Sequence, residues 1–151
     1  MLTQTVAGRT LDYSFCVGGR LAYPSAIAFG SGDRVYVLVR GQESIPNVPA
    51  NKATSGATIL KLTVGSDTGE EELVDELGKT GDEEGEFTWP AGLAVDSQEN
   101  LFITDEWLNR IIVMDNNGNY LRTWGSIGGG DGEFQGPSGI AIDADDNVFV
   151  V

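Results

Sequence analysis

The sequence predicts an all-β repeat protein assembled from four-stranded antiparallel units, and three observations carry that prediction. The first is self-similarity. Trp89-Pro90-Ala91-Gly92-Leu93-Ala94-Val95-Asp96 returns as Gly136-Pro137-Ser138-Gly139-Ile140-Ala141-Ile142-Asp143, and Gly85-Glu86-Phe87 returns as Gly132-Glu133-Phe134, both at an offset of 47 residues. A fixed period of that length marks a propeller or a solenoid. An earlier copy, Tyr23-Pro24-Ser25-Ala26-Ile27-Ala28-Phe29, lies 66 residues before the second, so one unit is lengthened by 19 residues. The second observation is a succession of short β-prone runs broken by polar turn-forming clusters. The third is that only residues 70–77 carry even a weak 3.6-residue apolar period.

The middle unit shows what each segment should be. Leu93 and Val95, then Leu101-Phe102-Ile103, flank Asp96-Ser97-Gln98-Glu99-Asn100 and read as a hairpin. Ile111-Ile112-Val113-Met114 and Tyr120-Leu121-Arg122-Thr123-Trp124 supply the third and fourth strands. Asn117-Gly118 between them predicts a tight primed turn, because such a turn needs the positive φ values that Asn and Gly tolerate. A Gly-rich stretch over 125–132 closes the unit. In the weak helical window, Leu73, Val74 and Leu77 align with Tyr120, Leu121 and Trp124 of the next copy, so residues 70–77 are predicted as a fourth strand.

Composition narrows the class. The 151 residues are 40% apolar and 21% charged, enough to build a core and too apolar for a disordered chain. A net charge of −14 repels phosphate backbones and anionic headgroups, so neither nucleic acid nor a membrane surface is an expected partner. The N-terminal segment has no apolar leader and no stretch reaches membrane-spanning length, which predicts a soluble, cytoplasmic chain. The lone cysteine, Cys16, has no disulfide partner and no His to act as its base, since the chain contains none. It reads as a small buried hydrophobe.

The residues resemble the NHL-repeat family of β-propellers. That repeat has a Gly-rich lead-in and an aromatic, then Pro and a first strand ending in Asp, a turn with Asn, a second strand ending in Asp, and Asn-Arg before the third strand. The middle copy supplies Phe87, Pro90, Asp96, Asn100, Asp105, Asn109 and Arg110, and the last copy supplies Phe134, Pro137, Asp143 and Asn147. The first copy departs, with Gly30 and Val39 in place of the two Asp residues and Arg40 where the middle copy has Glu106. The resemblance implies a β-propeller of four-stranded antiparallel blades, present as an incomplete ring of about two and a half blades. On that resemblance residues 9–18 are expected to be the outer strand that closes the ring, and Met1 the natural start. Residues 23–78 are a blade with a long inserted loop, 89–125 a second blade, and 137–151 the first half of a third. About six blades complete a ring, so the chain reads as the N-terminal part of a longer protein. The alternative is a short chain whose second copy completes the ring.

Function in such a ring sits on the face carrying the loops between blades and between second and third strands. Two segments are unusual there. One is the insertion within residues 40–57, stiffened by Pro46 and Pro49, which either arches across the channel mouth or is a surface excursion. The other is the pair of acidic loops, Gly81-Asp82-Glu83-Glu84-Gly85-Glu86 and Gly130-Asp131-Gly132-Glu133. Calcium is the cation such carboxylates would take. Neither loop has the ordered Asp-x-Asp-x-Asp-Gly spacing, so both read as solvated connectors, and no metal or cofactor is assigned.

Ligand-face candidates are Arg40, Glu106 and Trp107. Arg40 and Glu106 hold equivalent positions in successive blades, and Trp107 offers a stacking wall. The bland alternative is that Arg40 and Glu106 only pair with each other. Asp105, Asn109 and Arg110 are expected to tie the second-to-third-strand loop by hydrogen bonds, and no catalytic residue is assigned. Two functions follow from the resemblance: a scaffold binding a protein or small-molecule ligand through its loop face, or a metal-dependent lyase or lactone hydrolase with further site residues in missing blades. Amidating lyases of this architecture hold zinc through His, for which this chain has no ligands.

Overall fold

The computed structural model describes residues 3–6, 9–12, 23–43, 54–65 and 70–151. Among these described residues sixteen strands follow in chain order: β1 (Thr3–Val6), β2 (Arg9–Asp12), β3 (Pro24–Phe29), β4 (Arg34–Val39), β5 (Gln42–Glu43), β6 (Thr54–Ser55), β7 (Thr58–Thr63), β8 (Glu72–Leu77), β9 (Lys79–Thr80), β10 (Glu86–Phe87), β11 (Pro90–Val95), β12 (Leu101–Asp105), β13 (Arg110–Met114), β14 (Tyr120–Trp124), β15 (Ile140–Ile142) and β16 (Val148–Val150). They build two four-stranded antiparallel blades, β3-β4-β7-β8 and β11-β12-β13-β14, and a β15-β16 pair. This is the all-β propeller architecture that the repeats predict. The inner strand β11 packs between β3 and β15, which sets the blades side by side around one axis. Residues 72–77 are a strand, as their alignment with the later copy requires. No helix long and apolar enough to cross a membrane occurs among the described residues.

The repeat is copied down to its irregularities. Pro24 opposes Val39 and Pro90 opposes Asp105, each just before a register shift. The outer pairs shift again at Lys61/Leu62 and at Val113/Met114, positions that correspond between blades. The crossover into each new blade also repeats. Gly81 N–H donates to the Phe87 carbonyl at 3.1 Å, and Gly128 N–H donates to the Phe134 carbonyl at 3.0 Å. Gly78 and Gly125 precede these crossovers with φ of 71° and 103°, and a Cβ on either would lie 2.6 Å from the Phe87 or Phe134 ring. Gly is therefore required twice over, by conformation and by the aromatic that seals the blade junction.

Hydrophobic burial holds the blades together. Tyr36, Leu38, Ile59 and Leu77 of the first blade share one core with Leu93, Leu101, Ile103, Ile112 and Met114 of the second and with Phe87 from the crossover. Phe102, Ile111 and Val113 face the β15-β16 pair through Ile140, Ile142, Val148 and Val150. At about 1.5–3 kcal/mol per buried side chain, these two interfaces outweigh any single polar tie.

Three hairpin turns follow one recipe. Asp96, Asp115 and Asp143 each accept two N–H groups through Oδ1, from residues two and four positions on, while the Asn four positions on donates its side-chain amide to the same carboxylate. The expected primed turn at Asn117-Gly118 is therefore corrected. Gly118 has φ of 81°, but Asn117 is not left-handed, because the Asp115 carboxylate gathers the turn amides into a longer loop.

These turns also join neighbouring blades. Glu99 accepts the Ser31 N–H at 2.6 Å and the Asn116 amide at 2.9 Å, and it pairs with Arg34. One blade later, Asp146 accepts the Ser97 N–H at 2.8 Å and its hydroxyl at 2.6 Å. Hydrogen bonds from Ser31 and Asn116, with the Arg34 charge adding, hold Glu99 down at about 2. A carboxylate held below its ordinary value of 4.5 contributes stability that is fully present above that value and fades as pH falls towards about 2. The stability gap between the native chain and Glu99→Gln, about 1 kcal/mol near neutrality, is expected to close across that window in parallel pH-dependent denaturation. A gap unchanged down to the bottom of the window would show that the joint does not depend on the Glu99 charge.

Candidate functional site at the axial loop face

The site is built at the top of the second blade, where β12 ends. Asp105 is fully buried. Its Oδ2 accepts the Thr88 N–H at 2.7 Å, and its Oδ1 accepts the N–H groups of Trp89 at 3.2 Å and Leu108 at 3.1 Å. One carboxylate thus fixes both the segment entering β11 and the loop leaving β12. Asn109, with φ of 53°, donates to the Trp107 carbonyl and accepts the Gly136 N–H at 2.8 Å, which ties that loop to the next blade. Arg110 donates instead to the Glu83 and Glu86 carbonyls of the inter-blade loop.

What this framework presents is a pocket of about 370 Å³ lined by Trp89, Glu106, Trp107 and Gly136. Glu106 N–H donates to the Trp89 carbonyl at 3.0 Å, and at the corresponding place in the first blade Arg40 N–H donates to the Tyr23 carbonyl at 3.1 Å. The Arg40 guanidinium carbon lies 5.3 Å from the Trp89 ring centroid. Its Nε donates to the Pro90 carbonyl at 2.9 Å, and its Nη2 stands 3.7 Å from Glu106 Oε2. The three sequence candidates therefore converge on one place. Trp89 is the residue that sequence reasoning missed. Its signal was present, since it sits at the head of the repeat where Tyr23 stands in the first copy, directly before the Pro that starts the inner strand.

The acidic loops are organised internally. Glu86 Oε2 accepts the Glu83 N–H, Glu133 Oε2 accepts the Gly130 N–H, and Glu86 also pairs with Lys79 at 2.7 Å. Lys79 and the loop amide hold the Glu86 carboxyl below its ordinary range. At the insertion, β5 and β6 pair antiparallel. The proposed arch itself, residues 44–53, lies outside the described residues, as do Cys16 and residues 13–18 of the closing segment. Within that segment, β2 pairs antiparallel with β1.

Residues 75–151 match the model of a family described as 6-bladed beta-propeller. Among solved structures, a protein from Lactobacillus plantarum determined by a structural genomics consortium is similar at a TM-score of 0.50 and 14% identity over 85% of this chain. The chain spans 34% of that protein's length. No curated protein matches the sequence.

Proposed function

Because the chain belongs to the 6-bladed beta-propeller family, we propose that it is an NHL-type propeller module that binds a ligand, protein or small molecule, through its axial loop face. The observation that carries this reading is the pocket of Trp89, Glu106, Trp107 and Gly136, whose two indoles are positioned by a buried carboxylate and an inter-blade Asn. Pockets with apolar walls and a few convergent polar groups are the usual form of a ligand site. The NHL assignment rests on the Asp-to-Asn turns, the buried Asp at the end of the second strand, and Asn109-Arg110.

The test is a ligand screen followed on the indole N–H signals of the three Trp residues. Binding is expected to move the Trp89 and Trp107 signals, to leave Trp124 on the outer strand unmoved, to survive chelation, and to return the ligand chemically unchanged. Ligand conversion that a chelator abolishes would overturn the scaffold reading in favour of a metal-dependent enzyme.

A further inference from the structure

The pocket is walled by two indoles and one carboxylate. Within the molecule a guanidinium already lies over Trp89 with Glu106 as its counter-charge, an arrangement that shows what this corner stabilises. That guanidinium is engaged by Trp89, Pro90 and Glu106. The neighbouring indole is differently placed. Trp107 is 53% exposed, and among the described residues its ring has neither an aromatic nor a cationic partner. The Glu106 side chain is 44% exposed, so it retains the capacity to face a second positive group. Trp is the strongest cation-binding ring among the side chains, and a chain of net charge −14 draws cations towards it while repelling anions.

Resting on the reading that this pocket is a ligand site, we propose that it takes an organic cation, an alkylammonium or guanidinium group seated against Trp107 and facing Glu106. Such a group reaches the site either as a free small quaternary ammonium compound or as a basic side chain of a peptide.

The experiment titrates the full chain, with its Trp indoles labelled, using choline, its neutral isostere 3,3-dimethylbutanol, a short Lys/Arg peptide and a matched Glu peptide. Choline or the basic peptide is expected to bind, as read by Trp107 and Trp89, about two- to five-fold more tightly than the isostere or the acidic peptide, the weight of one exposed cation–π contact. Glu106→Gln is expected to weaken the cation by about the same factor and to leave the isostere unaffected. Tighter binding of choline identifies a free ammonium ligand, and tighter binding of the peptide a basic side chain. Equal binding of the isostere, or preference for the acidic peptide, overturns the cation assignment and leaves the ligand site standing. No movement of Trp89 or Trp107 with any probe overturns both. The comparison between choline and its isostere uses the unaltered chain, so it does not depend on any variant folding.

Discussion

Asp105→Ala is expected to lower the stability of the chain by about 3 kcal/mol or more, since three N–H groups lose their shared acceptor at a fully buried position. Burial decides the magnitude. At a surface turn the amides of Thr88, Trp89 and Leu108 would turn to water, whereas here Thr88 is itself only 2% exposed. Asp105→Asn keeps one carbonyl acceptor and should fall between. Denaturant midpoints measure the series, and the Trp89 and Trp107 indole signals report whether the pocket loosens with it. A loss below about 1 kcal/mol for the Ala variant would mean that the amides find other partners, and Asp105 would no longer count as the keystone of the site.

Gly92→Ala is expected to be the second most damaging change, at about 2–3 kcal/mol by overpacking. Gly92 lies buried on the inner strand of the second blade, and an added Cβ would stand 2.4 Å from the Ser138 carbonyl oxygen of the next blade, 3.0 Å from Thr104 Oγ1 and 3.1 Å from Ile140 Cγ2. The obstacle is backbone and cannot rotate away. It is also a polar junction: Gly92 N–H donates to Thr104 Oγ1, whose hydroxyl donates to the Ser138 carbonyl. The matched control is Gly139→Ala one repeat later, where the Cβ meets only the end of Val151 at 2.8 Å and the loss should stay below about 1 kcal/mol. In the first blade the same position is already Ala26, and Leu38 replaces the Thr. Equal losses for the two variants in parallel unfolding curves would sink this account of the blade junction.

Strand order in the later units was legible because three of their hairpins are written in local terms: an apolar run, an Asp, and an Asn four residues on. The Leu73-Val74-Leu77 segment shows how repeat alignment outranks periodicity, since its spacing suits a helix while its partner in the next copy is a strand. The turn at Asn117-Gly118 shows the reverse failure. Asn-Gly suggests a two-residue turn, but the deciding group is the Asp115 carboxylate, two residues earlier. At the site, Arg40 and Glu106 were visible as matched positions in successive copies, and Trp107 as the aromatic beside Glu106. Trp89 was hidden in the repeat signature itself, where it looked like a lead-in residue. Its proximity to Arg40 is a tertiary fact, created when the second blade's first strand packs against the first two strands of the first blade.

Ser97 and Glu99 lie two residues apart on a single turn, yet they fasten in opposite directions, Glu99 back to Ser31 and Ser97 forward to Asp146. Each unit therefore carries a plug for its predecessor and a socket for its successor. A gene duplication of one period copies both halves at once, so a new unit arrives already compatible with either neighbour, and deletion of one period rejoins a matching pair. The joint also has a direction: unit order can be lengthened or shortened but not reversed. In the third unit Ala144 stands at the socket position, with the backbone N–H but no hydroxyl. At that position the main chain preserves half of the fastening whatever the side chain becomes.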